Sequence, residues 1–104
     1  MAIIENKAQV LLLLQTNYQA IAKLGIDRLG LFGSFVRNEA RPDSDVDIWA
    51  EFHKDKKTYK NFIQLTYFLE DLLQREVELV TPEGVSPFIK PHILKELEYV
   101  SFTN

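Results

Sequence analysis

Gly33-Ser34-Phe35-Val36-Arg37-Asn38-Glu39-Ala40-Arg41-Pro42-Asp43-Ser44-Asp45-Val46-Asp47 is the stretch that decides the fold of this chain. It is entered through Arg28 to Phe35, a short apolar segment ending at Gly33 and Ser34, which predicts a buried strand finished by a tight turn. Val36 to Ala40 is expected to make a brief helical turn, and Arg41 to Ser44, polar and carrying Pro42, a loop. Val46 to Phe52 then alternates as a second strand. Val46, Ile48, Ala50 and Phe52 fall on one face of it, and Asp45, Asp47, Trp49 and Glu51 on the other, because successive strand side chains point to opposite sides.

Outward from this centre the pattern is helical on both sides. Between Glu5 and Leu24, Val10, Leu11, Leu14, Tyr18 and Ile21 recur at three- and four-residue intervals, predicting an amphipathic first helix that stops at Gly25. Thr58 is placed to cap a second long helix whose buried stripe is Phe62, Leu65, Leu69, Leu72 and Leu73, before a charged end at Gln74 and Arg75. Glu76 to Thr81 reads as a third strand, closed by a turn at Thr81 to Gly84. Ser86-Pro87 and Lys90-Pro91 are alternative starts for a last helix carrying Ile93, Leu94 and Leu97. Tyr99 to Phe102 is either an edge strand or its continuation. The expected architecture is α/β, a small mixed sheet of three to four strands flanked by helices, in a single domain over residues 1–104.

Composition narrows the function. A net charge of −3 with no concentrated basic stripe disfavours a long nucleic-acid partner, and Lys54 to Lys60, interrupted by Asp55, reads as a solvated loop. The absence of cysteine removes disulfides and thiolate metal ligands. The apolar run Val10 to Leu14 is far short of the ~20 residues of a membrane span, and no basic segment precedes it, so a soluble, cytoplasmic protein is expected.

The chemistry is concentrated in the opening stretch. A glycine at a strand end lets a ligand approach the backbone, and a following serine adds an amide and a hydroxyl that can donate to a phosphate oxygen. Gly33 and Ser34 meet that description, although Gly-Ser after a strand is by itself usually only a turn. Asp45 and Asp47, two positions apart on one strand face, could share a hard cation through oxygen ligands, and a cation would offset their repulsion. The competing reading is an acidic strand entrance open to water. Trp49 shares that face and is expected to be core; His53 and His92 have no spaced partner ligands and are left as structural or surface residues.

Taken together, Gly33-Ser34, ten residues and Asp45-Val46-Asp47, with Arg37 and Ser44 between, resemble the signature of minimal nucleotidyltransferases of the DNA polymerase beta-like superfamily. The preceding helix and the tail Ile89-Lys90-Pro91-His92-Ile93-Leu94 extend the likeness to antitoxin-type members paired with HEPN-type toxins. The resemblance implies the polymerase beta-like fold and transfer of a nucleoside monophosphate, AMP or another, from a triphosphate such as ATP to a hydroxyl, the acceptor being a tyrosine of a HEPN-type toxin. Two Mg2+ ions would be held by Asp45, Asp47 and a third carboxylate, for which Glu78 is the candidate, and Gly33, Ser34, Arg37 and Ser44 would bind the nucleotide. Glu78 stands where the family has aspartate, one methylene longer, a displacement that can cost on the order of a hundredfold in rate. Its plainer alternative is a solvated strand residue paired with a Lys or Arg. Arg37 has a rival role as a salt bridge to Asp43 or Glu39. Glu78 also motivates a second function, a catalytically weak nucleotide-binding antitoxin that neutralises its partner by contact alone.

Overall fold

The computed structural model describes residues 4–101. A four-stranded sheet runs in the order β3-β2-β1-β4, with β1 at Ile26–Phe32, β2 at Val46–Phe52, β3 at Val77–Val80 and β4 at Glu98–Tyr99. β1 is antiparallel to both β2 and β4, while β2 and β3 are parallel, joined by the crossover helix α3 at Tyr59–Leu73. A parallel pair needs such a long connection, which accounts for the helical segment between them. The sheet is mixed and flanked by helices, as the sequence predicted.

Three helical segments cover one face. α1 (Lys7–Thr16) and α2 (Tyr18–Ala22) precede β1, and Val10, Leu14 and Ile21 are fully buried with Leu65, Leu69 and Leu73 of α3 against Leu29, Leu31, Ile48 and Ala50. The single first helix expected from periodicity is broken at Asn17, whose φ of −107° and ψ of 20° leave the helical well. Its side-chain amide donates to the Leu13 carbonyl at 2.8 Å, in competition with the regular backbone ladder. The apolar stripe passes the break intact, which is why periodicity alone could not see it. Gly25 does close the segment, with φ at +90°.

β1 also differs from expectation. It begins at Ile26 and ends at Phe32, so Phe35 belongs to the turn rather than the strand, where it is fully buried as an anchor. The turn starts at Gly33, with Arg37 N–H to Gly33 O at 3.4 Å and Glu39 N–H to Ser34 O at 2.8 Å, earlier than the helical turn expected at Val36. α3 is capped as predicted, Thr58 accepting from Asn61 N–H at 3.1 Å.

The other face carries a smaller cluster. Phe32, Trp49 and Ile93 are its buried centre, with Val80, Val85, Leu97 and Tyr99 packed around them. It is covered by α4, Lys90–Glu96, which begins at Lys90-Pro91 rather than at Ser86-Pro87. The chain then returns as the edge strand β4, resolving the alternative left at Tyr99; Phe102 lies outside the described residues. Trp49 is 1% exposed and donates to Glu51 at 2.8 Å, a core residue as expected. No helix among the described residues is long and apolar enough to cross a membrane.

Candidate active site

Strand register assembles the site. Phe32 lies opposite Asp47 across the antiparallel pair, and Asp47 lies opposite Glu78 across the parallel one, so the two carboxylates share the second face at one end of the sheet. Gly33 follows Phe32 directly. Its φ is +78°, and a Cβ placed there would come to 1.9 Å from Asp47 Oδ2, so the backbone conformation and the neighbouring carboxylate each require glycine. The glycine expected to admit a ligand is therefore already in contact with the aspartate expected to hold the cation.

The electrostatics of the pair are those of crowded acids. Asp47 is pushed up to about 7, first by burial, then by its hydrogen bond with Glu78 and by the charges of Glu78, Asp45 and Glu96. Two carboxylates brought side by side by strand register are hard oxygen ligands, and a divalent cation held between them would offset the negative charges that raise Asp47. Asp45 precedes β2, is exposed and acts on Asp47 through its charge. Among the described residues no three His, Cys, Asp or Glu side chains already converge at metal-binding distance. Asp47 and Glu78 are thus the preassembled part, and Asp45 the outlying one.

Arg37 stands on the exposed side of the turn, its Nε 2.8 Å from Glu39 and its Nη1 2.6 Å from Glu96. The salt bridge to Glu39 was the rival role foreseen for it; Glu96 takes the place imagined for Asp43. Both acids raise the guanidinium above its ordinary value, Glu39 foremost. Ser34 is half-buried in the same turn. The Ser44 hydroxyl accepts from Arg41 N–H at 2.7 Å, which closes the loop leading to Asp45.

Two residues of the site carry no sequence signal. Glu96, at the end of α4, accepts from Gly33 N–H at 2.7 Å besides pairing with Arg37. Arg75 was read as the charged end of α3, yet its Nη1 donates to the carbonyls of Arg41 at 2.8 Å, Pro42 at 3.1 Å and Ser44 at 2.8 Å. Its Nη2 reaches Ile4 O at 2.9 Å, and the guanidinium lies 4.9 Å from the Phe35 ring centre. Arg75 therefore fastens the loop between the Gly-Ser turn and Asp45-Val46-Asp47, a use that suits the five donors of a planar guanidinium. Beside these groups a cleft of about 380 Å³ opens, polar at Gly33, Arg37 and Glu78 and apolar towards Val80, Ile89 and Ile93.

Comparison with known proteins agrees with this geometry. Residues 14–100 match the nucleotidyltransferase domain family. Protein adenylyltransferase MntA of Thermococcus cleftensis is 41% identical over 78 residues, covering 75% of this chain and 78% of the relative. Among solved structures, one described as a minimal nucleotidyltransferase superposes with a TM-score of 0.70 at 33% identity, covering 85% of this chain and 93% of the other. A complex of a tri-AMPylated Shewanella oneidensis HEPN toxin with an MNT antitoxin shares the fold, with a TM-score of 0.57 at 22% identity over 86% of this chain and 72% of that one. The strand-end carboxylates, the glycine turn against them and the matched span together place this chain in the nucleotidyltransferase domain family.

Proposed function

We propose that this chain is a protein adenylyltransferase that moves AMP from ATP, with magnesium, onto a tyrosine or similar hydroxyl of a HEPN-type partner, and so acts as that partner's antitoxin. The observation that carries the reading is the meeting of Gly33, Asp47 and Glu78 at one end of the sheet. The name of the Thermococcus relative supports the acceptor class, and the AMPylated toxin of the Shewanella complex supports the partner.

In this reading Asp47 and Glu78, together with Asp45, would hold the cations. When bound, the metal polarises the attacked phosphorus and lowers the cost of deprotonating the acceptor hydroxyl. Gly33 N–H, Ser34 and Arg37 bind the phosphates that leave, stabilising the charge that builds there. Arg75 keeps the loop in register, so that the Gly-Ser turn and the carboxylates face one another from fixed positions. The absence of a basic stripe on the chain fits a protein acceptor better than a long nucleic acid.

The test is incubation with labelled ATP, magnesium and the product of the gene neighbouring this chain's own. Transfer of label to that protein is the expected result; its absence despite magnesium-dependent ATP binding would leave the contact-only antitoxin, which the extra methylene of Glu78 favours. The Asp45→Asn, Asp47→Asn double variant separates the two, because it protects cells only if contact suffices.

A further inference from the structure

The position of Glu96 is not explained by its own helix. It ends α4, where the helix dipole presents its negative pole and a carboxylate is unfavourable; the neighbouring Lys95 has the sign that the position prefers. The side chain turns into the site instead. One oxygen accepts from Gly33 N–H at 2.7 Å and the other from Arg37 Nη1 at 2.6 Å. Gly33 lies one residue beyond the end of β1, so its N–H has no place in the strand ladder and needs an acceptor from elsewhere. The two donors that Glu96 engages are two of those given above to the leaving phosphates.

We propose that Glu96 is an internal counter-anion of the phosphate site, holding Gly33 N–H and Arg37 in their binding positions and yielding them to an incoming triphosphate, so that it sets which anions bind and how tightly. This inference rests on the function proposed above. The anchor of the segment stays in place while the carboxylate moves: Ile93 is buried one turn earlier, and Tyr99 pairs with Gly30 three residues later. A glutamate has enough side-chain torsions to swing away without moving either. Tethered on the same chain, Glu96 competes at a high effective concentration, so an anion of one or two charges displaces it poorly. A magnesium-bound triphosphate brings several oxygens and a cation that also draws on Asp47 and Glu78, and it wins the exchange. Glu96 is thus a residue of discrimination between the nucleotide and the phosphate, sulfate and monophosphates around it.

Calorimetry tests this with two probes, inorganic triphosphate with magnesium and inorganic phosphate alone, on the wild-type chain, Glu96→Gln, Glu96→Ala and Glu98→Gln. Glu98 carries the same charge two residues on but pairs with Lys7 outside the site, so its variant controls for net charge. Thermal melting confirms that each variant is folded. The expected result is triphosphate binding about tenfold tighter in Glu96→Gln and Glu96→Ala than in wild type, a gain in phosphate binding larger than that, and no change in Glu98→Gln. Unchanged or weaker triphosphate binding in both Glu96 variants overturns the inference and leaves the nucleotide site standing. Failure of every variant and of wild type to bind triphosphate overturns the proposed function, and this inference with it.

Discussion

The two faces of the sheet are made by the same strands and do opposite work. On the α1–α3 face, Leu29, Leu31, Val46, Ile48 and Ala50 meet Val10, Leu14, Leu65 and Leu69 with almost no exposed surface. On the α4 face the alternate residues are Phe32, Asp47, Trp49 and Glu51, and only the middle of that face is dry. At its far end Glu51 accepts through Oε2 from both Trp49 and Tyr99, the latter at 2.6 Å with Arg28 over its ring, so that acid is tied to two donors. At the near end Asp47 and Glu78 lie side by side, and among the described residues neither forms a salt bridge to a Lys or Arg. One face therefore stabilises, and the other carries an electrostatic cost at one end that a ligand can relieve.

The comparison can be broken most sharply at Asp47. Asp47→Asn is expected to lower nucleotidyl transfer by about a thousandfold while leaving the metal-free protein as stable as wild type or more so above pH 7, because it removes a crowded negative charge. Steady-state kinetics and denaturant unfolding of the same preparation check both halves. A variant that lost stability along with activity would mean that the near end is structural.

The reciprocal change is on the other face. Leu69→Ala should cost about 2–5 kcal/mol in urea unfolding, since it opens a cavity under α3 that the surrounding strands cannot fill, while nucleotide affinity in the folded protein stays within about twofold. A large loss of affinity at unchanged stability would contradict the division of labour between the faces.

The smallest effect is in pH. Asp47 is raised to about 7 from an ordinary carboxyl value of 3.8, so the folded state holds its proton more tightly than the unfolded chain. The stability this confers is fully present below the unfolded value and is lost as pH rises towards and through 7. Metal-free protein should therefore melt progressively lower between about pH 4 and pH 7, and saturating magnesium should flatten that slope. An identical slope with and without magnesium would show that the carboxylates do not share a cation.

The site residues were legible in unequal degree. Gly33, Ser34, Asp45 and Asp47 were visible as candidates because they lie within one short stretch of turn, loop and strand, although Asp45 stands just before β2 and is exposed rather than on the strand face. Glu78 was a candidate only because the family resemblance implies a third carboxylate on the adjacent strand, and its placement opposite Asp47 depends on the parallel register set by α3. Glu96 and Arg75 were invisible as site residues. Glu96 ends α4 and Arg75 follows the cap of α3, each with an unremarkable charge, and each acts on backbone groups more than thirty residues away in sequence.

By itself the sequence determined the α/β architecture, the identities of β1, β2, α3 and β3, the core stripe of α3 and the acidic face of β2. These follow from periodicity, capping and turn chemistry, all of which act over a few neighbouring residues. The break at Asn17, the end of β1 at Phe32, the pairing of Asp47 with Glu78, the clamp of Arg75 on the 41–44 loop and the occupation of Gly33 N–H by Glu96 were decided only by the tertiary structure. The physical reason is common to them: a hydrogen-bond donor or a buried charge must find its partner in space, and no local pattern in the chain says where that partner will come from.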